Sequence, residues 1–293
     1  RGAGNPFKGQ TGEIRCDRND TEAVKRALEG ETFDLVYDNV YDWQRGTTAG
    51  QVQALALALS PRPRRYVFTS SVAAYGEGLD LDEDSPLAPD DHPDDYVRNK
   101  AQTEAMLFAL HREQGFPAVT LRPPYVYGPE NPFYREAFFW DRLLAGRPVI
   151  VPGDGERLMQ FVLADDIARA AILAAESDCA AGRAYNIANP SPLTQRELVE
   201  SLARAAGRKI EVVLVPREKL LAMGGRIFEP PYYFGQYFDM PPITQRTGHA
   251  REELGLEPVR FEEGLAGAFA WYGRRRGGAA PDFSFDDEVL ASL

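Results

Sequence analysis

The sequence predicts an α/β protein built on a doubly wound parallel sheet, with a smaller region on its C-terminal side. Between residues 33 and 122, short apolar runs typical of buried strands alternate with longer segments typical of helices. The chain has 293 residues, of which 44% are hydrophobic, so it can bury one large core and a second, smaller one. Such alternation favours parallel strands joined by right-handed crossovers.

The elements of the first half follow from their apolar runs and their breaking residues. The segment 65–69 contains Tyr66, Val67 and Phe68 and predicts a buried strand. Acidic residues at 94 and 95 suit the positive end of a helix, and the run GFP at 115–117 stops that helix. The predicted elements are a strand at 33–40, a helix at 51–59, a strand at 65–69, a helix from 93–95 to Gly115 and a strand at 118–122.

The character of the sequence changes after Pro129. Thr194, with Glu197 three residues later, forms a capping-box pattern that predicts a helix N-terminus. The aromatic run at 232–238 is expected to line a pocket, to cover it, or only to pack, and we expect the acidic tail after residue 281 to be mobile. The predicted elements of this half are an aromatic helix through 138–140, a strand at 149–151, a helix at 194–206, a strand at 210–215 and a helix at 262–275.

Composition disfavours several classes of function. The formal net charge of −11 makes nucleic acid an unfavourable partner, because nucleic-acid binding relies on clustered lysine and arginine. Cys16 and Cys179 have no partners at metal-ligand spacing, so neither a disulfide framework nor a metal site is expected, and Cys16 is expected in the core. The sequence has no apolar run near the ~20 residues of a membrane span and no signal peptide, so we expect no membrane partner and a cytoplasmic location.

The most informative motif is the run YVRNK at 96–100, which begins 25 residues after Ser71. On a helix, Tyr96 and Lys100 lie on one face about one turn apart. An ammonium near a phenol lowers its pKa from about 10, and a serine hydroxyl at the end of a strand can hold a substrate oxygen beside it. Tyrosine and lysine at this spacing also occur as plain surface decoration of a helix. With Ser71 the motif favours alcohol–ketone chemistry without a metal.

Four further segments accompany this motif in the chain. Together with Ser71 and residues 96–100 they resemble the extended short-chain dehydrogenase/reductase family, which includes the NAD-dependent epimerases and dehydratases. Several motifs in the right order are more specific than any one of them. The resemblance covers nearly the whole chain and implies a Rossmann-like sheet. The four segments are 16–20 (CDRND), 121–129 (LRPPYVYGP), 161–168 (FVLADDIA) and 185–188 (YNIA).

The resemblance implies two regions along the chain and a role for each of three residues. Residues 1–130 would form an NAD(P)-binding domain that lacks its first strand, helix and strand. Residues 131–293 would form mainly the substrate-binding region, with some segments returning to the sheet. Tyr96 would move a proton, Lys100 would lower the pKa of Tyr96 and hold the ribose, and Ser71 would position the substrate oxygen.

The residues that the resemblance assigns to ligands form two sets. The set implied to bind NAD or NADP is Arg1, Asp17, Tyr96, Lys100, Pro123 and Val126. The set implied to bind a small-molecule substrate is Ser71, Tyr125, Asn131, Arg157 and Gln160.

The reaction is expected to be an epimerisation or a reduction at a carbinol or ketone carbon. Sugar-nucleotide dehydratases carry an acidic pair just after the position matching Ser71, where this chain has Val72 and Ala73. Galactose-type epimerases carry a diphosphate-binding arginine where this chain has Met159, and Arg157 is the candidate replacement. A sugar nucleotide is therefore one expected substrate class. The family also implies a homodimer formed through the helices of Gln51 and Tyr96.

The start of the chain departs from the family pattern. A member should open with a strand, a glycine-rich turn and a helix, because glycines let the backbone approach the dinucleotide phosphates. Residues 1–4 (RGAG) instead resemble the turn after the second strand, where an arginine often contacts the 2′-phosphate of NADP. We therefore expect that further residues precede Arg1 in the natural chain.

Two rival functions remain open at this point. The runs FFW at 138–140 and GRP at 146–148, with Gln160, resemble a branch of the family that contains chloroplast stem-loop-binding proteins, which suggests RNA binding. A redox-sensing regulator that binds NADP without turnover is the second rival. The presence of Ser71, Tyr96 and Lys100 favours an enzyme over both, and the acidic charge further disfavours RNA.

Overall fold

A four-stranded parallel sheet forms the centre of the N-terminal part in a computed structural model that describes residues 9–226, 241–275 and 280–293. The strands of the described chain are β1 (Leu35–Asp38), β2 (Arg65–Thr69), β3 (Gly78–Leu81), β4 (Ala118–Arg122), β5 (Tyr125–Tyr127), β6 (Val149–Pro152), β7 (Leu158–Met159), β8 (Phe161–Leu163), β9 (Ala184–Asn186), β10 (Leu193–Thr194), β11 (Val212–Val215) and β12 (Ile243–Gln245). The strand order of the central sheet is β1-β2-β4-β9.

The helices lie between these strands along most of the chain, as the predicted alternation requires. They are α1 (Thr21–Leu28), α2 (Ala49–Ala58), α3 (Asp95–Gln114), α4 (Glu136–Leu144), α5 (Ala164–Glu176), α6 (Gln195–Ala205), α7 (Arg217–Ala222), α8 (Gly248–Leu254), α9 (Phe261–Arg275) and α10 (Ser284–Ala291). The predicted strands at 65–69 and 118–122 are confirmed at both ends, and the predicted helix at 262–275 is confirmed to within one residue.

Successive side chains of β2 bury on opposite faces of the sheet. Tyr66 and Phe68 belong to an apolar cluster with residues of α2 and α3, whereas Val67 belongs to a cluster with residues of α5 and α8. This alternation follows from the two-residue period of a strand. The sheet is therefore covered by helices on both faces, which confirms the predicted doubly wound α/β fold class.

Strand β9 links the two halves of the sequence. It pairs in parallel with β4, with Leu121 opposite Tyr185. Two other parallel pairs, β5 with β8 and β6 with β11, build the region beside the main sheet. The division at residue 130 stays a prediction, and part of the chain after that residue belongs to the central sheet.

A second apolar core lies under α4, α6, α9 and α10. Phe138, Phe139 and Trp140 are at most 3% exposed within it, so this aromatic run serves packing. Trp140 also donates a hydrogen bond from its indole nitrogen to the Leu202 carbonyl at 3.3 Å. An aromatic ring with its one polar atom paired is well suited to a core.

Two expectations from the sequence are wrong. The acidic tail is ordered: it forms α10, whose Phe285 and Val289 are buried in the second core. Burial of these two apolar residues, four positions apart on one helix face, holds the tail in place. Cys16 is exposed and does not lie in the core, because no strand forms at that position. The aromatic run at 232–238 lies outside the described residues.

In the described part of the chain, no helix combines the length and the apolarity that crossing a membrane requires.

Candidate active site

Ser71 lies at the carboxyl end of the sheet, two residues after β2 ends. It caps a short 3₁₀ turn at Val72–Tyr75, and its hydroxyl accepts a hydrogen bond from the Ala73 amide at 3.1 Å. The Val72 amide donates to the Pro123 carbonyl at 3.0 Å, which fixes the turn against the chain that follows β4. The side chain is 9% exposed and lies where ligands bind in open α/β sheets.

Helix α3 delivers Tyr96 and Lys100 to the same place. Asp94 caps the helix by accepting hydrogen bonds from the Tyr96 and Val97 amides, and Gly115 ends it with a φ of 67°, which favours glycine. Tyr96 is partly exposed in the first turn, whereas Lys100, one turn later, is only 5% exposed. The predicted arrangement of the phenol and the ammonium on one helix face is confirmed.

The Lys100 ammonium lies in an aromatic surrounding. Its Nζ donates to the Thr69 carbonyl at 2.7 Å and lies 4.7 Å from the ring centre of Phe68, 5.4 Å from that of Tyr41 and 5.7 Å from that of Tyr96. Burial lowers the pKa of Lys100 to about 8. Near neutral pH the lysine is therefore an ammonium close to its titration point, held by ring faces and one carbonyl.

The pKa of Tyr96 is raised and not lowered. Burial is the largest cause, and it outweighs a hydrogen bond with the Ser71 hydroxyl and the nearby positive charge of Arg135, which both lower the pKa. The predicted lowering by Lys100 is therefore not the dominant effect in this structure. The phenol is protonated at neutral pH and lies near the Ser71 hydroxyl, so it can donate a proton to a substrate oxygen held between the two groups.

An aromatic cluster that sequence reasoning missed surrounds the phenol. Trp43 stacks on the Tyr96 ring with 5.0 Å between ring centres, and Tyr41 meets that ring edge-on at 4.9 Å. Phe133 packs edge-on against Trp43 at 6.4 Å. Trp43 is 67% exposed, so one face of its indole remains in contact with water. The sequence position of Trp43 could have pointed to this contact. Residues 39–48 follow β1, so they leave the sheet at its carboxyl end, where Ser71 also lies.

Glu104 is a second residue that sequence reasoning missed. It follows Lys100 by four positions, the same spacing that relates Lys100 to Tyr96, so helix periodicity could have found it. It is fully buried beside Arg122, with 2.7 Å between its Oε2 and the Arg122 Nη2.

The predicted cofactor residues are placed unevenly around this site. Pro123 is bonded to the Ser71 turn through its carbonyl, and Val126 lies in β5, close by in the chain. Asp17 is exposed, and both of its carboxylate oxygens accept hydrogen bonds at 2.8 Å from Arg45, which lowers the pKa of Asp17 to about 2. Arg1 lies outside the described residues. The contacts of all four with a dinucleotide stay predictions.

Two of the predicted substrate residues lie close together. Burial raises the pKa of the Tyr125 phenol, whereas the positive charges of Arg135 and Arg157 oppose that rise, so both guanidinium groups are near it. Arg135 donates to the Val126 carbonyl at 3.1 Å, and its charge also reaches Tyr96. Arg135 therefore acts on both Tyr96 and Tyr125, and Arg157 acts on Tyr125, so these cationic groups suit an anionic ligand near the two phenols.

Asn131 and Gln160, which were also predicted to bind substrate, have structural partners. The Asn131 amide donates to Glu136 at 3.1 Å, at the start of α4. Gln160 is fully buried, and both of its amide N–H groups donate to backbone carbonyls, one of Asn189 at 2.8 Å and one of Gln245 at 3.1 Å. These bonds hold β12 beside β7 and β8. The substrate contacts of Asn131 and Gln160 stay predictions.

Known proteins resemble this chain over most of its length. It is 28% identical over 291 residues to the chloroplast stem-loop binding protein of 41 kDa b from Arabidopsis thaliana, covering 97% of this chain and 71% of that protein. It is 31% identical over 286 residues to 2-alkyl-3-oxoalkanoate reductase from Stenotrophomonas maltophilia, with 87% and 84% covered.

Similarity extends to solved structures and to a family profile. UDP-glucuronic acid 4-epimerase from Bacillus cereus, solved with UDP-glucuronic acid and NAD, superposes with a TM-score of 0.68 at 20% identity, covering 89% of this chain and 81% of that one. This likeness shows a shared fold. A model of the NAD dependent epimerase/dehydratase family matches residues 7–188, which is more than half of the chain. By this match, the chain belongs to the NAD-dependent epimerase/dehydratase family.

Proposed function

We propose that this protein is an NAD(P)-dependent oxidoreductase that acts on a carbinol or ketone carbon, with Ser71, Tyr96 and Lys100 as its catalytic residues. The observation that carries the proposal is the meeting of these three side chains at the carboxyl end of the sheet. The Ser71 hydroxyl is near enough to the Tyr96 phenol to lower its pKa against the effect of burial, and the Lys100 ammonium lies 5.7 Å from the phenol ring centre. A hydroxyl, a phenol and an ammonium in this arrangement can transfer a proton to or from a substrate oxygen.

The donor set at this site fits the nicotinamide side of a dinucleotide. Lys100 uses one of its three N–H donors on the Thr69 carbonyl, and the others suit the hydroxyls of a ribose, beside the Tyr96 phenol. Pro123 and Val126 would flank the ring. When bound, the nicotinamide supplies or accepts the hydride.

The chain's own residues would handle the proton and the substrate oxygen. In a reduction, the Tyr96 phenol donates its proton to the carbonyl oxygen, which the Ser71 hydroxyl holds by a hydrogen bond. In the reverse direction, the phenolate accepts the proton of the alcohol. The Lys100 ammonium stabilises that phenolate, because opposite charges attract strongly where water is excluded.

A nucleotide sugar is the substrate class that we propose. Arg135 and Arg157, whose positive charges both act on the Tyr125 phenol, would supply the cationic groups that suit the diphosphate of such a substrate. The Bacillus cereus structure holds UDP-glucuronic acid on the same fold. Asn131 and Gln160 complete the proposed substrate set. Oxoalkanoates belong in the same substrate panel, because a relative 31% identical to this chain is named a 2-alkyl-3-oxoalkanoate reductase.

The proposal includes an assembly and a location. A homodimer would form through α2 and α3, the two neighbouring helices that flank the sheet. Cys16 and Cys179 are both exposed and free, which suits a reducing cytoplasm.

The first experiment titrates NADH and NADPH separately into the protein and follows nicotinamide fluorescence. Binding of either nucleotide, followed by turnover of a nucleotide sugar or an oxoalkanoate, would support the proposal and identify the cofactor. Binding of neither nucleotide would contradict the enzyme function. Binding of a stem-loop RNA in the same preparation would then favour the RNA-binding alternative.

A further inference from the structure

A single buried carboxylate connects three elements behind the candidate active site. Glu104 of α3 is fully buried. Its Oε1 accepts a hydrogen bond from the Ser70 hydroxyl at 2.5 Å, and its Oε2 accepts one from the Thr120 hydroxyl at 3.1 Å. Arg122 of β4 donates to the same carboxylate from Nε at 3.0 Å and from Nη2 at 2.7 Å. One side chain thereby joins α3 to the chain beyond β2 and to β4.

The connection continues from Arg122 to the turn that carries Ser71. Arg122 is 2% exposed, and its Nη1 donates to the Tyr75 hydroxyl at 2.6 Å and to the Glu83 carbonyl at 3.1 Å. Its guanidinium also lies 4.7 Å from the centre of the Tyr75 ring. Tyr75 is the last residue of the 3₁₀ turn that Ser71 caps.

These contacts reach each of the three proposed catalytic residues. Ser70, which bonds Glu104, directly precedes Ser71, and the Thr69 carbonyl before it accepts the Lys100 hydrogen bond. On the other side, Glu104 is on the same helix as Tyr96 and Lys100. The carboxylate therefore sets the distance between the helix that carries two catalytic groups and the strand end that carries the third.

We propose that Glu104, held by Arg122, is a positioning residue. It keeps Tyr96 and Lys100 of α3 at a fixed distance from Ser71 beyond the end of β2. The inference rests on the proposed function of that site, and it deepens it by assigning a role to a buried ion pair behind the three proposed catalytic residues. A buried ion pair is a poor source of stability by itself, because apolar residues of similar volume often stabilise a core as well. The bonds to the turn and to the strand end are what an apolar replacement would remove.

Electrostatics gives this role a measurable signature. Two carboxylates, Asp38 and Glu104, raise the pKa of Lys100 against the larger lowering by burial. Asp38 itself is held by Arg18 at 2.8 Å and by the Tyr66 hydroxyl at 2.5 Å, whereas Tyr41 and Tyr96 present neutral rings to the ammonium. Loss of the Glu104 charge would leave Arg122 uncompensated nearby, and both changes disfavour the ammonium form of Lys100.

The test compares Glu104→Gln with Asp286→Asn, a matched control in the second core. Asp286 forms a buried ion pair with Arg142 at 2.7 Å, with both side chains at most 5% exposed, as Glu104 does with Arg122. The chain has five lysines, so protein labelled with ¹³C-lysine gives few signals, and a Lys100→Met variant assigns the Lys100 signal. A pH titration by NMR then reports the Lys100 pKa without any substrate or cofactor.

We expect Glu104→Gln to lower the Lys100 titration midpoint by about one pH unit and Asp286→Asn to leave it unchanged, although both variants lose stability. Glu104→Asp, which keeps the charge and the fold but withdraws the carboxylate, should lower the midpoint by less. An unchanged midpoint in both Glu104 variants, or an equal change in Asp286→Asn, would overturn the positioning role.

Turnover separates this inference from the proposed function. If the unaltered protein turns over a substrate, Glu104→Gln should lower kcat by about tenfold or more with a smaller change in KM, whereas Asp286→Asn, assayed at a temperature where it remains folded, should leave kcat unchanged. A kcat equal to that of the unaltered protein would overturn the inference and leave the function standing. An unaltered protein without any turnover refutes the proposed function, and the NMR titration still decides the role of Glu104.

Discussion

Lys100 is a cation in a place that disfavours charge. Its pKa of about 8 in the folded protein lies well below the ordinary 10.5. The folded protein therefore binds the Lys100 proton less tightly than the unfolded chain does. This lowering of the Lys100 pKa corresponds to about 3 kcal/mol of destabilisation at neutral pH. A group that the fold holds at such a disadvantage is expected to serve a function other than stability.

We therefore expect Lys100→Met to stabilise the protein by about 2 kcal/mol at pH 7, after about 1 kcal/mol is subtracted for the lost bond to the Thr69 carbonyl. Between pH 8 and 10.5 the folded protein releases the Lys100 proton before the unfolded chain does, so the stability of the unaltered protein rises and the advantage of the variant shrinks. Urea unfolding at pH 7 and pH 10 measures both effects. Lys25→Met, at an exposed lysine, is the control. A variant less stable than its parent at pH 7 would refute the argument.

Tyr96→Phe removes only the phenolic hydroxyl. The ring contacts with Trp43 and Tyr41 remain, so folding and dinucleotide binding should change little. Turnover should fall by about 10²- to 10⁴-fold, the usual contribution of a positioned proton donor. Steady-state kinetics and nucleotide titration measure the two properties separately, with Tyr37→Phe at an exposed tyrosine as the control. Unimpaired turnover would remove Tyr96 from the proposed mechanism.

The sequence predicted the relative position of two site residues correctly where both lie on one helix. Tyr96 and Lys100 share a face of α3 because a four-residue spacing fixes that geometry. Trp43 was not predictable, since its contact with Tyr96 depends on the path of a loop 53 residues earlier in the chain. The direction of the Tyr96 pKa was also not predictable, because burial depends on the packing of the whole site.

Helix α6 carries its start signal in its own sequence. The Thr194 hydroxyl accepts a hydrogen bond from the Glu197 amide at 3.1 Å, and the Glu197 carboxylate accepts one from the Thr194 amide at 2.8 Å. The helix packs Leu198 and Leu202 into the second core. Its N-terminus thus fixes how this helix enters the region proposed to bind substrate.

Thr194→Ala should lower the free energy of unfolding by about 1 kcal/mol. The Glu197 amide loses its hydroxyl acceptor, and the bond from the Thr194 amide to the Glu197 carboxylate loses the reciprocal half of the capping box. Thr194→Ser keeps the hydroxyl and should stay within about 0.5 kcal/mol of the parent. Thermal and urea unfolding of the two variants give the comparison. Equal stability of both variants would show that the capping box contributes nothing.

Long apolar elements were predictable and short pairs were not. The strands at 65–69 and 118–122 are buried, continuous apolar runs, which the sequence reveals directly. Strands β3 and β12 pair with each other across 165 positions, with Gly78 opposite Ile243. That pairing depends on tertiary contacts such as those of Gln160, and a local pattern does not encode it.

At the scale of the whole molecule, the last helix closes the second core. Phe285 and Val289 of α10 are buried in it, and Asp286 pairs with Arg142 of α4 through two hydrogen bonds of 2.7 Å. The sequence held a signal in the four-residue spacing of Phe285 and Val289. The acidic residues around these two led us to expect a mobile tail. Net charge bears on solubility, however, and does not show which side chains are buried.

Asp286→Asn should destabilise the protein by about 3–5 kcal/mol, since it leaves the buried Arg142 guanidinium without its counter-charge. The neighbouring Asp287 pairs with Arg147 but is 64% exposed, so Asp287→Asn should cost less than about 1 kcal/mol. Guanidinium chloride would mask charges, so urea unfolding is the suitable measurement. Equal effects of the two substitutions would mean that α10 does not close the core.

The indole of Trp43 has an optical consequence. It lies ring to ring with Tyr96 at 5.0 Å, where an ionised phenol quenches indole emission efficiently. Trp140 is buried and Trp271 is partly buried, whereas Trp43 is mostly in water, so its emission lies at longer wavelengths than that of the other two. The red edge of the intrinsic fluorescence therefore reports the ionisation of the two phenols that pack against Trp43, those of Tyr96 and Tyr41, and a Tyr41→Phe variant would leave Tyr96 as the remaining source of the signal.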